Sequence, residues 1–392
     1  MIPYGKQVIS QQDIDAVVEV LNSPWLTQGP KVPEFENAVT QYCQVQYGTA
    51  TNSATSALHV ACLALGVTHN DIVWTSPNSF VASSNCALYC GAKIDFVDID
   101  PTTGNLSVDA LTLKLAHAKQ TNTLPKVLIP VHFAGQSCDM KSISTLAQEY
   151  GFKIIEDASH AVGGKYLNDP VGSCRYSDIC IFSFHPVKII TSAEGGMALT
   201  NDSAINAKLK MYRSHGITAE QGLLHNEADG PWYYEQQALG FNYRMTDLHA
   251  ALGTQQVQRL DEFVEKRNQL AQNYDQLFTQ SEDITPLRQH EGVYNAYHLY
   301  VIRISSTNPE LHKRLVETLR AQGIFCHVHY IPIYLQPYYQ SLGFKPGHCQ
   351  GAEDYYHSAV TLPLFPELSE TDQDYVATTL IETLTTLKAQ SQ

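Results

Sequence analysis

The chain has 392 residues and a mass of 43.6 kDa, a length that suggests two domains and at most three. Hydrophobic residues make up 44% and charged residues 16%, the reverse of the balance that leaves a chain disordered. Lys plus Arg number 25 and Asp plus Glu 39, a formal charge of −14, and such a surface repels phosphate backbones, which argues against nucleic-acid partners.

In chain order, residues 12–22 place Ile14, Val17, Val18 and Leu21 at helical spacing. Residues 55–65 read as a buried helix entered from the polar Thr51-Asn52-Ser53. Strand-like runs then follow at 72–75, 94–97, 127–131, 153–156 and 180–184, with helical segments such as 141–150 between them. Strands alternating with helices predict crossover units and a largely parallel sheet. A short strand is expected at 197–200. The pattern changes near residue 245. A long helical stretch over 246–278 carries Leu248, Leu252, Leu260 and Val264. It is followed by a strand at 298–304, a helix at 309–321, a strand at 324–330 and a C-terminal helix at 372–387. The expected fold class is α/β, with a large domain over 1–250 and a smaller α+β domain over 251–392. No run reaches the ~20 apolar residues of a membrane span, and MIPYGKQVISQQDID lacks the basic start and apolar core of a signal peptide. The nine cysteines are odd in number, scattered, and form no CxxC pair. That pattern fits free thiols in a reducing cytoplasm.

No P-loop, GxGxxG, GxSxG or HExxH occurs, which counts against the kinase, dinucleotide-oxidoreductase, serine-hydrolase and zinc-protease readings. Cys326-His327-Val328-His329 lacks a second ligand pair, so no metal is expected. Five segments carry chemistry instead, each at the end of a strand candidate or the start of a helix. In FSFHPVK (182–188), Lys188 follows an apolar strand; desolvation there would supply the free amine a Schiff base needs, although most lysines in such positions are simply solvated. In IIEDASHA (154–161), Asp157 ends a strand and can either cap the next helix or pair with the protonated nitrogen of a pyridoxal phosphate (PLP) ring. His160 can lie over that ring or bond its phenolic oxygen, or be an ordinary core histidine. NSATSAL (52–58) opens a helix with donors that serve capping and phosphate binding equally well. Phe80 can cover a flat ring or merely fill core, and GFNYRMT (240–246) is a polar turn that also reads as a linker.

Together NSATSAL, TSPNSFVAS, EDASHAVGG, FSFHPVK, EGGM and GFNYRMTDLHAALG resemble the DegT/StrS-type nucleotide-sugar aminotransferases, in the family's order, from about residue 2 to residue 366. The resemblance implies the PLP-dependent fold type I architecture. By it, Lys188 forms the Schiff base and shuttles the proton, Asp157 partners the pyridine nitrogen, His160 lies beside the phenolic oxygen, and Phe80 stacks on the ring. Ser53, Ala54, Thr55 and Ser183 match phosphate-binding positions. Asn242 matches a phosphate ligand reached from the other subunit, which implies a homodimer with shared sites. One branch of the family carries histidine in place of the lysine and dehydrates sugars; Lys188 makes transamination the expected chemistry. The implied cycle alternates PLP and pyridoxamine phosphate, with L-glutamate as amine donor and a keto sugar nucleotide as acceptor.

The segments NSPWLTQGP, SFHPVKIITSAEGG, YRSHGI, VHYIPIY and AEDYYHSAVTLP resemble the branch serving pseudaminic acid synthesis. That branch aminates C4 of a UDP-linked 4-keto-6-deoxy-N-acetyl-hexose. By this resemblance Tyr4, Trp25, Leu26, Thr27, Gln28, His329 and Tyr330 line the sugar-nucleotide side. The alternatives are another nucleotide-linked 4-keto or 3-keto sugar, and a non-catalytic PLP-binding sensor.

Overall fold

In the computed structural model, which describes residues 1–390, seven strands build the central sheet. They are β1 (Tyr47–Thr51), β2 (Ile72–Thr75), β3 (Lys93–Phe96), β4 (Val127–Ile129), β5 (Lys153–Asp157), β6 (Ile179–Ser183) and β7 (Gly196–Thr200). Their spatial order is β1-β7-β6-β5-β4-β2-β3. Neighbours from β6 to β3 pair in parallel, and β7 runs antiparallel to both β6 and β1. The parallel strands are short apolar runs because helices cover both faces of the sheet. Ala57, Leu58 and Ala61 of helix Ala54–Ala64 belong to one core cluster with Val73, Val127 and Ile155. Leu111, Leu115 and Ile143 close another with Trp74, Leu128 and Ile154.

A smaller antiparallel sheet joins Ile284–Pro286, Tyr300–Ile304 and Ala359–Leu362 in that order. Helices Leu260–Phe278, Pro309–Ala321 and Glu370–Ala389 pack their apolar sides into its core. The N-terminal residues Ile2–Pro3 also join this part, pairing in parallel with Ile324–Phe325. Leu364 N–H donates to the Tyr4 carbonyl at 3.0 Å.

Three sequence expectations differ from the structure. The helical stretch over 246–278 divides at Arg259 (φ −104°, ψ 5°) into Asp247–Gln258 and Leu260–Phe278. The first half packs on helices Gln11–Leu21 and Lys31–Cys43; the second begins in the same core with Leu260, Phe263 and Val264 and reaches the smaller sheet from Leu270 onward. The strand expected over 324–330 ends at Phe325. Beyond it only His327 bridges to Thr361, and the chain then turns so that the Tyr330 N–H donates to Asn78 Oδ1 at 3.0 Å. Strand β1 was not expected, because YGTAT offers little apolar surface. It lies beside β7 where Gly48 leaves room for Met197 and Leu199: a Cβ there would stand 3.2–3.3 Å from their side chains. Among the described residues no helix is long and apolar enough to cross a membrane. All nine cysteines are free.

Candidate active site

Open parallel sheets place ligands beyond the carboxyl ends of their strands, and the chemistry-bearing segments converge there. Gly196 sits in register with Ser183 on one side and Thr51 on the other, which brings the ends of β6 and β1 together across β7. Just beyond β1, Ser53 caps helix Ala54–Ala64, its Oγ accepting from Ser56 N–H at 3.1 Å. The backbone crowds Gly196: a Cβ would lie 2.5 Å from Ser53 C and O and from Ala54 N. This cradle leaves the helix N-terminus open as an anion site.

β5 ends at Asp157, which is 5% exposed. Its Oδ2 accepts from Ser83 Oγ at 2.6 Å, and its Oδ1 accepts from Ser159 Oγ at 2.6 Å and Ser159 N–H at 3.1 Å. Three donors hold the carboxylate in one orientation. Lys188 lies past β6 in a tight turn, its N–H donating to the His185 carbonyl at 2.9 Å. Its amine opens on the same cavity and has no hydrogen-bond partner among the described residues. Burial lowers its pKa from 10.5 to about 8, and the Asp157 carboxylate acts in the opposite sense. A small amine-selective reagent is therefore expected to modify Lys188 with a rate that rises through about pH 8, where surface lysines remain protonated. Mass mapping across a pH series checks this.

His160, His298 and His329 are each pushed well below the ordinary imidazole range, first by burial and then by neighbouring positive groups including Lys188. The His160 and His298 rings lie 4.4 Å apart. His329 Nδ1 pairs with Thr361 Oγ1 at 2.9 Å, and its ring stacks on His327 at 4.4 Å. Tyr4 packs against both rings. Tyr330 OH approaches His160 Nε2 at 3.3 Å.

One cavity of about 700 Å³ thus gathers Lys188, Asp157, His160, Ser53, Ala54, Thr55, Ser183, Phe80, Tyr4, His329 and Tyr330. Phe80 is 61% exposed at its mouth. The remaining residues singled out from the sequence lie elsewhere in this chain. Asn242 is exposed and bridges to Ser214. Trp25 and Leu26 are exposed, Thr27 bridges to Thr246, and Gln28 adopts a left-handed φ of 55°. Their loop is pinned instead to helix Asp247–Gln258, through Asp247 carboxylate oxygens that accept from Gly29 N–H at 2.6 Å and Val32 N–H at 3.1 Å. Sequence reasoning missed Ser83 and Ser159, which hold Asp157, and His298. Ser159 stands two residues from Asp157, a spacing that signals a local turn. Ser83 carries no such signal, because its partner is 74 positions away. Among the described residues no group of three or more His, Cys, Asp or Glu forms a metal site.

Comparison with known proteins fits this geometry. Residues 7–381 match the DegT/DnrJ/EryC1/StrS aminotransferase family. The UDP-4-amino-4,6-dideoxy-N-acetyl-β-L-altrosamine transaminase of Campylobacter jejuni strain 81-176 is 37% identical over 391 residues, covering 99% of each chain. The solved structure of Helicobacter pylori PseC, an aminotransferase involved in the biosynthesis of pseudoaminic acid, superposes with a TM-score of 0.90 at 32% identity, over 98% of this chain and 99% of that one. Spr1654 of Streptococcus pneumoniae in its PLP-form gives a TM-score of 0.88 at 29% identity, over 98% of this chain and 99% of that one. The chain belongs to the DegT/DnrJ/EryC1/StrS aminotransferase family, with the fold type I architecture of its members.

Proposed function

We propose that this aminotransferase uses PLP to move the amino group of glutamate onto C4 of a UDP-linked 4-keto-6-deoxy-N-acetyl-hexose. The observation that carries the reading is the juxtaposition of the Lys188 amine and the triply bonded Asp157 carboxylate in one cavity, with a capped helix N-terminus at its edge. The residues fit the cofactor: the cavity offers an anion cradle at Ser53, Ala54, Thr55 and Ser183, a fixed carboxylate for a protonated ring nitrogen, and an exposed Phe80 face for stacking. When bound, PLP supplies an electron sink for the pair left behind as a proton departs from carbon.

Lys188 then carries the proton. Its amine is uncharged above about pH 8, so it can accept a proton at the substrate carbon and return it. Asp157 holds the ring nitrogen protonated, and Ser83 and Ser159 prevent the carboxylate from turning away. His160 presents a ring nitrogen from the side wall. Tyr4, His329 and Tyr330 receive the sugar nucleotide. Asn242, outside this chain's cavity, serves the phosphate in the cavity of a second copy. The Trp25–Gln28 loop is joined to Asn242's segment by the Thr27–Thr246 bridge and serves that same neighbouring cavity. The protein is on this reading a homodimer, working in the reducing cytoplasm that suits nine free thiols. The sugar assignment is supported by the likeness to the C. jejuni transaminase and to PseC.

The test is spectroscopic. The purified protein with added PLP should show the visible band of lysine-bound cofactor. Glutamate should bleach it, and the UDP-linked 4-keto-6-deoxy-N-acetyl-hexose should restore it. No band with PLP would remove the cofactor assignment. Bleaching by glutamine alone would change the donor. Restoration only by a 3-keto or a differently linked sugar would change the acceptor.

A further inference from the structure

Both ring nitrogens of His160 have partners. Nδ1 accepts from the Ala134 backbone N–H at 3.3 Å, and Nε2 meets Tyr330 OH at 3.3 Å. Rotating the ring by half a turn would put carbon atoms at both places and lose both contacts, so the two together fix its orientation. A ring nitrogen that accepts a hydrogen bond carries no proton. The single proton of a neutral His160 is therefore on Nε2, on the cavity side. Burial opposes a second proton, as do Lys188 and His329.

The donor is held with unusual care. Ala134 sits in the turn Phe133–Gly135 with φ 58° and ψ 2°, a left-handed conformation that a residue with a side chain seldom adopts. The turn is clamped from two sides. Phe133 N–H donates to Asn105 Oδ1 at 2.9 Å. From the other side, Leu299 N–H donates to the Ala134 carbonyl at 3.2 Å and Ala296 N–H to the Gly135 carbonyl at 3.1 Å. Gly135, at φ 108°, admits no side chain, because a Cβ would lie 2.6 Å from Tyr297 N.

We propose that the Ala134 backbone N–H locks the His160 ring with its one proton on Nε2, making Ala134 a positioning residue for the donor that His160 presents to the site. His160 is then a standing N–H donor toward an oxygen acceptor and never a base at that atom. What the donor serves, an oxygen of the bound PLP ring, rests on the proposed function; the lock itself exists without cofactor.

The test uses cofactor-free protein labelled with 15N-histidine. The His160 signals are assigned by their loss in His160→Gln. Long-range 1H–15N spectra should show a pyridine-type Nδ1 and a pyrrole-type Nε2 that do not titrate across about pH 6 to 8. A protonated Nδ1, averaged signals or a titration in that window would overturn the lock. Ala134→Pro deletes the N–H and, since proline cannot hold a φ of 58°, also opens the turn, so mixed tautomers are expected. Ala134→Gly keeps it, relieves the left-handed strain and should preserve the wild-type signals. Retention of the wild-type tautomer in Ala134→Pro would also overturn the proposal, and if that variant does not fold, the wild-type spectrum decides alone. The visible band on adding PLP is a separate reading, so the lock and the cofactor assignment fail independently.

Discussion

Lys188→Ala is expected to reduce amination by at least roughly 10²–10⁴-fold, the range over which positioned proton-transfer groups act, while leaving the fold intact. The two halves of this result come from one environment. The amine has no hydrogen-bond partner among the described residues, and burial lowers its pKa to about 8. The desolvation of this ammonium outweighs its attraction to the Asp157 carboxylate, so the charged form is a net cost to the folded state. Because the pKa in the fold lies below that of the unfolded chain, the native state disfavours the protonated form; that cost is fully present below about pH 8 and disappears as pH rises toward the unfolded value. The variant's melting temperature at neutral pH should therefore equal or exceed that of the wild type. Turnover and melting curves measured on the same preparations check the pair. A matching fall in melting temperature would transfer the activity loss from chemistry to folding.

The sequence offered this lysine because it follows an apolar strand in a sparsely charged segment, but that segment alone reads equally as a solvated lysine, and the family resemblance was what pointed to it. Residue pattern alone made β2 and helix Pro309–Ala321 readable. β2 is a short apolar run between polar residues, and the helix starts with proline behind an Asn308 cap that accepts from Glu310 and Leu311 N–H. β1 was hidden because Gly48, Thr49 and Thr51 have no strand-like apolar side; the residues of β7 supply that surface. The break at Arg259 was hidden because neither glycine nor proline marks it. In the site, residue type made Lys188, Asp157 and His160 candidates, and the motif resemblance assigned their roles. Ala134 could not be singled out, since it acts through a backbone N–H that every residue except proline possesses.

Arg267→Ala should be the most destabilising single change outside the cavity, by about 3–5 kcal/mol, combining a vacated side-chain volume with buried acceptors left unpaired. Arg267 is 1% exposed. Its Nη1 donates to the carbonyls of Tyr297 (3.1 Å), His298 (3.3 Å) and Leu364 (3.0 Å). No carboxylate pairs with it among the described residues, and burial lowers its pKa to about 10. Its role is to fasten helix Leu260–Phe278 to the segment that clamps the Phe133–Gly135 turn. Arg267→Lys should recover only part of the loss, because one ammonium lacks the planar fork of the guanidinium. Thermal melting of the wild type, Arg267→Ala, Arg267→Lys and Arg314→Ala decides it; a shift in Arg267→Ala no larger than that in the exposed Arg314→Ala would refute the assignment.

The pairing of Ile2–Pro3 with Ile324–Phe325, together with the Leu364 bond to Tyr4, has a consequence for how the protein is made. Tyr4 leaves the ribosome more than 300 residues ahead of the strand that pairs with its neighbours Ile2–Pro3. At about 5–20 residues per second, translation keeps that segment waiting for roughly 15 seconds or more. The central sheet has all seven strands once residue 200 is out, whereas the cavity wall formed by Tyr4, His329 and Tyr330 can close only once residue 330 is out. A nascent chain can therefore hold the Lys188 side of the site long before it can hold a substrate.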